Sequence, residues 1–350
     1  MAQALTTLLI SVSPFLSSIA IAQSFHHFHE RAGRLGPEIV GFPLYQFLHR
    51  TNNNADPHEF LFLQHLRSVY VINVVKDYMD DGQYYKFMDF TGALALFHRL
   101  PSIESVGVDI LMELEGVPVE EITRSNFSKI AIRHSALNSI YLASLICSCK
   151  VLREFEYSIG GRSEHPRARS SVINAKTFIQ ALLMHKETLE LLDVDAGSDM
   201  DCLIYHEEGP DEAVYALSGP PPDEMWEQHG SLRDFHSLKH LSVGVDFLMY
   251  FARGVVNPAK KGDFSLVDCL PENLESLCIR GYERGKRKNK DNDNDIQLDA
   301  LIAWQKRGTS KLKTIRGIYE LIPNAEHVED PDDDEHLLWQ REEEEWSEEE

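Results

Sequence analysis

Phe127-Ser128-Lys129-Ile130-Ala131-Ile132 is followed twenty-five residues later by Leu152-Arg153-Glu154-Phe155-Glu156-Tyr157. Both stretches read apolar-x-x-apolar-x-apolar. The last two apolar positions stand two apart, so they share one face of a short strand. Working outward, the same hexad recurs along most of the chain. Before these copies come Leu16-x-x-Ile19-x-Ile21, Leu66-x-x-Val69-x-Val71 and Ile103-x-x-Val106-x-Val108. After them come Leu189-x-x-Leu192-x-Val194, Leu238-x-x-Leu241-x-Val243, Leu274-x-x-Leu277-x-Ile279 and a shortened Leu312-x-x-Ile315 that ends at Gly317.

Successive hexads start 24 to 50 residues apart. The shortest spacings match leucine-rich repeats of about 20–29 residues. The longer ones predict extra helical turns and loops, and the first gap has room for an unrecognised copy. Helical spacing of apolar residues fills the intervals at Ala136 to Cys149, Val172 to Met184 and Ile296 to Trp304. Helix and strand in alternation imply parallel strands joined by crossovers. The fold expected is therefore α/β, an irregular leucine-rich-repeat solenoid over residues 1–325, with strands on a concave face and helices on a convex one. A second near-repeat, Val106-Gly-Val-Asp-Ile-Leu-Met112 against Val243-Gly-Val-Asp-Phe-Leu-Met249, lies two residues out of register with the hexads. A shift of two leaves every side chain on the same face of a strand.

Charge is unevenly placed. Residues 326–350 hold fourteen acidic residues against one Arg, −13 of a formal net charge of −22, which leaves −9 for the other 325 residues. That end reads as a disordered acidic tail. A mildly acidic body without a basic stripe excludes sequence-independent nucleic-acid binding. Five cysteines without a C-x-x-C pair argue against a disulfide framework or a zinc site, and for a reducing compartment, cytoplasmic or nuclear. The apolar residues from Leu5 to Ala22 are interrupted by Pro14, and no Lys or Arg precedes them. They are read as a first, truncated repeat rather than a secretory signal. No stretch reaches the ~18 unbroken apolar residues of a membrane span.

Catalytic signatures are absent: no G-x-S-x-G, no H-E-x-x-H, no phosphate-binding G-x-x-x-x-G-K-[ST] and no G-x-G-x-x-G. Gly281 to Lys286 has the wrong spacing for a phosphate loop. His26-His27-Phe28-His29-Glu30 has no second ligand group elsewhere. Asp193 and Asp195 share a strand face but are expected to point into water. The six basic residues of Arg280 to Lys290 read as a solvated loop, and the Gly/Pro-containing, acid-rich stretch from Ala196 to Gly230 as a long insertion. No cofactor is implied.

The informative surface is the set of residues between the buried hexad positions. It takes in Tyr70, Lys129 and Arg133, Glu154 and Glu156, Asp193 and Asp195, then His240, Arg280 and Arg316. Such a wall is basic, then strongly acidic, then mixed, a pattern suited to electrostatic selection of a protein partner. Reversing charge at Glu154, Glu156, Asp193 and Asp195 together is expected to remove that partner without unfolding the chain.

The hexads, together with Leu270-Pro-Glu-Asn-Leu-Glu-Ser-Leu-Cys-Ile-Arg-Gly-Tyr282, Leu301-Ile302, Lys311-Leu-Lys-Thr-Ile-Arg-Gly-Ile318, Val328-Glu-Asp-Pro-Asp332, Trp339 and Trp346, resemble the leucine-rich-repeat part of fungal F-box proteins. The resemblance is carried by residues 270–346 and is generic before them. It implies a non-catalytic, substrate-recognising adaptor whose F-box docks on a subunit of a cullin-type ubiquitin ligase. Leu35-Gly-Pro-Glu-Ile39 echoes the opening of an F-box, but the module itself is not recognised. The asparagine that regular leucine-rich repeats place after each strand is missing as well. A free-standing scaffold without a ubiquitin link, and a secreted enzyme with an unfamiliar site, are the other readings.

Overall fold

The computed structural model describes residues 2–22, 43–53, 62–72, 86–88, 90–112, 124–160, 172–202, 221–255, 264–285, 291–308 and 310–325. The His26–Glu30 cluster, the F-box echo, most of the 196–230 insertion, residues 286–290 and the acidic tail lie outside them.

Each hexad forms a strand. They are β1 (Ser18–Ala22), β2 (Ser68–Ile72), β3 (Ser105–Asp109), β4 (Lys129–Arg133), β5 (Glu154–Ser158), β6 (Leu191–Asp195), β7 (His240–Gly244), β8 (Ser276–Arg280) and β9 (Thr314–Arg316). All nine make one sheet, every neighbouring pair is parallel, and spatial order follows chain order throughout. β1 pairs directly with β2, Ser18 opposite Ser68, so no hidden copy enters the sheet between them.

The register stacks hexad positions on one another. Val69, Val106, Ile130, Phe155, Leu192, Leu241, Leu277 and Ile315 form one row, and Val71, Val108, Ile132, Tyr157, Val194, Val243 and Ile279 a second. The first hexad positions from Leu66 to Leu312 are 0–4% exposed. Burial of a side chain of this size contributes roughly 1.5–3 kcal/mol, and these residues belong to one continuous apolar cluster with the two strand rows.

Helices cover the buried face: α1 (Ala2–Ser11), α2 (Pro43–Asn53), α3 (Phe90–Ala95), α4 (Ser139–Cys147), α5 (Ala175–Leu183), α6 (Asp223–Trp226), α7 (Val245–Arg253) and α8 (Asp291–Lys306). Asn138 and Asn174 start α4 and α5 by accepting from backbone N–H groups of the first turn, at 2.8 Å to Tyr141 and 3.0 Å to Lys176. A run of aromatic rings locks helices to strands. Phe155 on β5 meets Phe178 on α5 at 5.7 Å, Phe178 meets Phe247 on α7 at 6.0 Å, and Phe251 meets Phe235 edge-on at 5.2 Å.

Polar side chains tie neighbouring segments ahead of the strands, not after them. The residue just before the hexad donates to a carbonyl of the preceding segment: Asn126 to Leu100 at 3.0 Å, Thr188 to Leu152 at 2.8 Å, Ser237 to Glu187 at 2.7 Å, and Asn273 to His236. Past the strands, hydroxyls do similar work. Ser135 Oγ accepts from Leu111 N at 2.9 Å and Ser158 Oγ accepts from His134 N at 3.1 Å. The missing asparagines are thus replaced by a different set of ties.

The heptads Val106–Met112 and Val243–Met249 are not structural equivalents. The first continues through β3 into a short bridge at Leu111–Met112, whereas the second leaves β7 at Gly244 and becomes α7.

Candidate functional site

Among the described residues one face of the sheet has no helix on it, and the ten sequence-selected residues all stand there or at its margins. Lys129, Glu154 and His240 occupy the first position of their strands, Tyr70, Glu156, Asp193 and Arg316 the third, and Arg133, Asp195 and Arg280 the fifth. With strands ~4.8 Å apart, the set forms a strip rather than a pocket.

Within that strip the charges pair across strands. Lys129 Nζ lies 2.9 Å from Glu154, and Arg133 lies 2.7 Å from Glu156. The carboxylates hold the ammonium and guanidinium pKa values above their ordinary range. Tyr70 lays its ring over Gly107, where a side chain would collide with it, and donates its hydroxyl to Asp109. Burial pushes the Asp109 carboxyl up, but hydrogen bonds from His134 and Tyr70 and the nearby charge of His134 and Arg133 outweigh it and hold it below the usual value. The expected separation into basic and acidic bands is therefore a set of neutralised pairs. Arg316 turns to Glu320 in its own loop at 3.3 Å and joins no other member of the set, while His240 is exposed at the margin.

Toward the far end of the strip Arg280 joins several of its members. Its guanidinium reaches over β7 to Asp193 at 3.2 Å and Asp195 at 3.5 Å, and Nε donates to Ser242 Oγ at 3.0 Å. Gly244 stands between Asp195 and Arg280 and offers no side chain to obstruct the reach.

Asp195 corrects the sequence expectation. It does not point into water but is 6% exposed. The chain after β9 returns across the carboxyl ends of β8 and β6 and covers it. Gly281 N donates to Ile322 O at 2.8 Å, and Ala325 N donates to Asp195 Oδ2 at 2.9 Å. Burial drives the Asp195 carboxyl pKa up, against the opposing pull of Ala325 N–H and Arg280. Asp195 is a buried anchor for residues 318–325. Reversing its charge would leave an unpaired buried cation, so the fourfold reversal would disturb the fold.

The sequence reading also missed a second charged row along the entry side of the sheet. The second hexad position alternates in sign through Arg153, Glu190, Lys239, Glu275 and Lys313. Glu190 accepts from Arg153 at 3.3 Å and from Lys239 at 2.6 Å, and Glu275 from Lys313 at 2.6 Å. Lys239 on one side and Lys313 on the other hold the Glu190 and Glu275 carboxyls below their ordinary pKa. The alternation itself was the available signal.

Among the described residues no group of three or more His, Cys, Asp or Glu could hold a metal ion, and no helix is long and apolar enough to cross a membrane. The five cysteines are free. Burial pushes the Cys147, Cys149 and Cys202 thiols up to about 12, so these three are not poised as nucleophiles. Comparison with protein-family models, curated proteins and solved structures finds no match to this chain.

Proposed function

We propose that this protein is a non-catalytic interaction module, an irregular leucine-rich-repeat solenoid that grips a protein partner with the uncovered face of its sheet. One observation carries the reading: nine parallel strands in chain order present a face that bears no helix among the described residues and carries cross-strand ion pairs. A partner can read such a face by exchanging its own charges into the pairs, which favours selectivity over raw affinity. Two rows of pairs, one mid-strand and one at the entry rim, enlarge the readable surface. The resemblance of residues 270–346 to fungal F-box proteins supports a finer version, in which the partner is a substrate presented to a cullin-type ubiquitin ligase.

The test exchanges partners within pairs: Lys129→Glu with Glu154→Lys, and Arg133→Glu with Glu156→Arg. Each exchanged pair keeps its mutual attraction, and the longer 3.6 Å contact of Lys129 with the exposed Glu104 is lost, while the pattern offered to a partner inverts. Affinity purification followed by mass spectrometry should recover a principal partner with the native chain and lose it with the exchanged one, at unchanged thermal stability. Equal recovery by both would rule out this face. Co-purification of cullin-adaptor subunits supports the ubiquitin-linked version, and a reproducible partner without them favours a free-standing scaffold.

A further inference from the structure

The two ends of the sheet are finished differently. At the far end β9 is three residues long, preceded by Lys313 and ended by Arg316, α8 buries Leu298 and Leu301, and residues 318–325 fold back over the sheet. At the near end nothing comparable is present among the described residues. Among the described residues β1 is a five-residue edge strand paired only with β2. Its hexad residues Leu16, Ile19 and Ile21 are only partly buried, although their counterparts on β2 to β8 are buried. α1 packs on α2, so its other side looks out of the end of the array. That side and the turn after it carry Leu5, Leu8, Leu9, Val12 and Phe15, from 59% to 82% exposed.

We propose that this end is a homodimer interface, in which two copies meet about a twofold axis, β1 edge to β1 edge and α1 to α1. Three features point to a second copy as the occupant. An open strand edge presents unpaired backbone groups in a fixed direction, so its complement is another strand edge. Residues 1–22 contain no Asp, Glu, Lys, Arg or His, so nothing in the patch repels an identical patch. The rest of a chain with net charge −22 resists self-association, which leaves this uncharged end as the surface where two copies can approach. The arrangement is isologous: the same residues serve both partners, and the contact closes at two. This inference is independent of the partner-binding reading of the sheet face.

Size-exclusion chromatography with light scattering on the full chain, over a dilution series, tests it. The native chain should show twice the single-chain mass at high concentration and fall toward one on dilution. Leu5→Glu with Leu9→Glu should give the single-chain mass throughout with an unchanged circular-dichroism spectrum, because both side chains are already exposed. Ala20→Lys, which places a charge on the edge strand itself, should act in the same direction. Tyr319→Glu with Leu321→Glu, at the opposite end, should leave the dimer intact. A native chain that stays single at every concentration overturns the proposal. So does a dimer that survives Leu5→Glu with Leu9→Glu, or one lost only through Tyr319 and Leu321.

Discussion

The Arg280 guanidinium spans an entire strand to reach Asp193, 3.2 Å from one carboxylate oxygen and 3.3 Å from the other. The reach is possible because β7 offers only Ser242 and Gly244 beneath it. The same guanidinium lies 3.5 Å from Asp195, so one cation serves two carboxylates of which one is buried. Three consecutive parallel strands are thereby joined on the open face, in addition to their backbone ladders.

Asp195 should therefore make stability depend on pH in an unusual direction. Its folded-state pKa is raised by burial, so its contribution is fully present below the ordinary carboxylate value and is lost as pH rises through the raised one. Asp195→Asn keeps an acceptor for Ala325 N–H and removes the buried charge. It should match or exceed the native stability at pH 7 and flatten the profile between pH 4 and 7. Asp195→Ala leaves the Ala325 N–H without its acceptor and should cost about 1–3 kcal/mol. Urea denaturation at several pH values separates the two outcomes.

His185 gives the opposite slope. Its Nδ1 accepts from Leu152 N at 3.3 Å and its Nε2 donates to Ile146 O at 3.0 Å, which requires the neutral ring. Burial lowers its pKa from 6.5, and His98 is lowered in the same way. The unfolded chain takes up protons first as pH falls, so stability is complete above about pH 6.5 and declines below it. His185→Gln should lower stability at pH 7.5 yet reduce the loss between pH 7 and 5. An unchanged slope in that variant would assign the titration elsewhere.

Strand positions were legible because a two-residue apolar period with one face buried admits a single register. The helices at 139–147, 175–183 and 291–306 were legible from their spacing. What escaped depends on neighbours distant in sequence. Asp193 and Asp195 look alike in the chain, but only Asp195 lies under residues more than a hundred positions later. The Val-Gly-Val-Asp heptads share six of seven residues and part ways by context. After the first, Ile110 takes a left-handed φ of 57° and its N–H donates to Arg133 O, while after the second, Tyr250-Phe-Ala-Arg253 extends a helix that buries Phe251.

The alternating row at the entry rim should matter little to folding. Glu190 is about one-third exposed and pairs with two exposed bases. Such pairs contribute ~0–1 kcal/mol, less as salt screens them. Glu190→Gln should shift the urea midpoint slightly, with the difference vanishing in molar salt. Under the partner-binding function proposed above, the same change should weaken partner capture more than it weakens the fold.

Gly317 presents the strictest local demand on the last strand. A Cβ there would sit 1.8 Å from the Ile279 carbonyl oxygen, and φ is 84°. Backbone cannot move aside as a flexible side chain can. Gly317→Ala combines left-handed strain of roughly 1–2 kcal/mol with overpacking of about 1–3 kcal/mol. β9 should then detach from β8. Gly285 is the control, with φ of 77° and nothing within 4 Å of an added Cβ, so Gly285→Ala incurs the strain alone. Hydrogen exchange should show amides of β8 and β9 losing protection in Gly317→Ala while β4 to β6 stay protected, because a parallel array opens from its ends. Equal protection in the two variants would mean that β8 and the turn at Gly317 relax around the new methyl group.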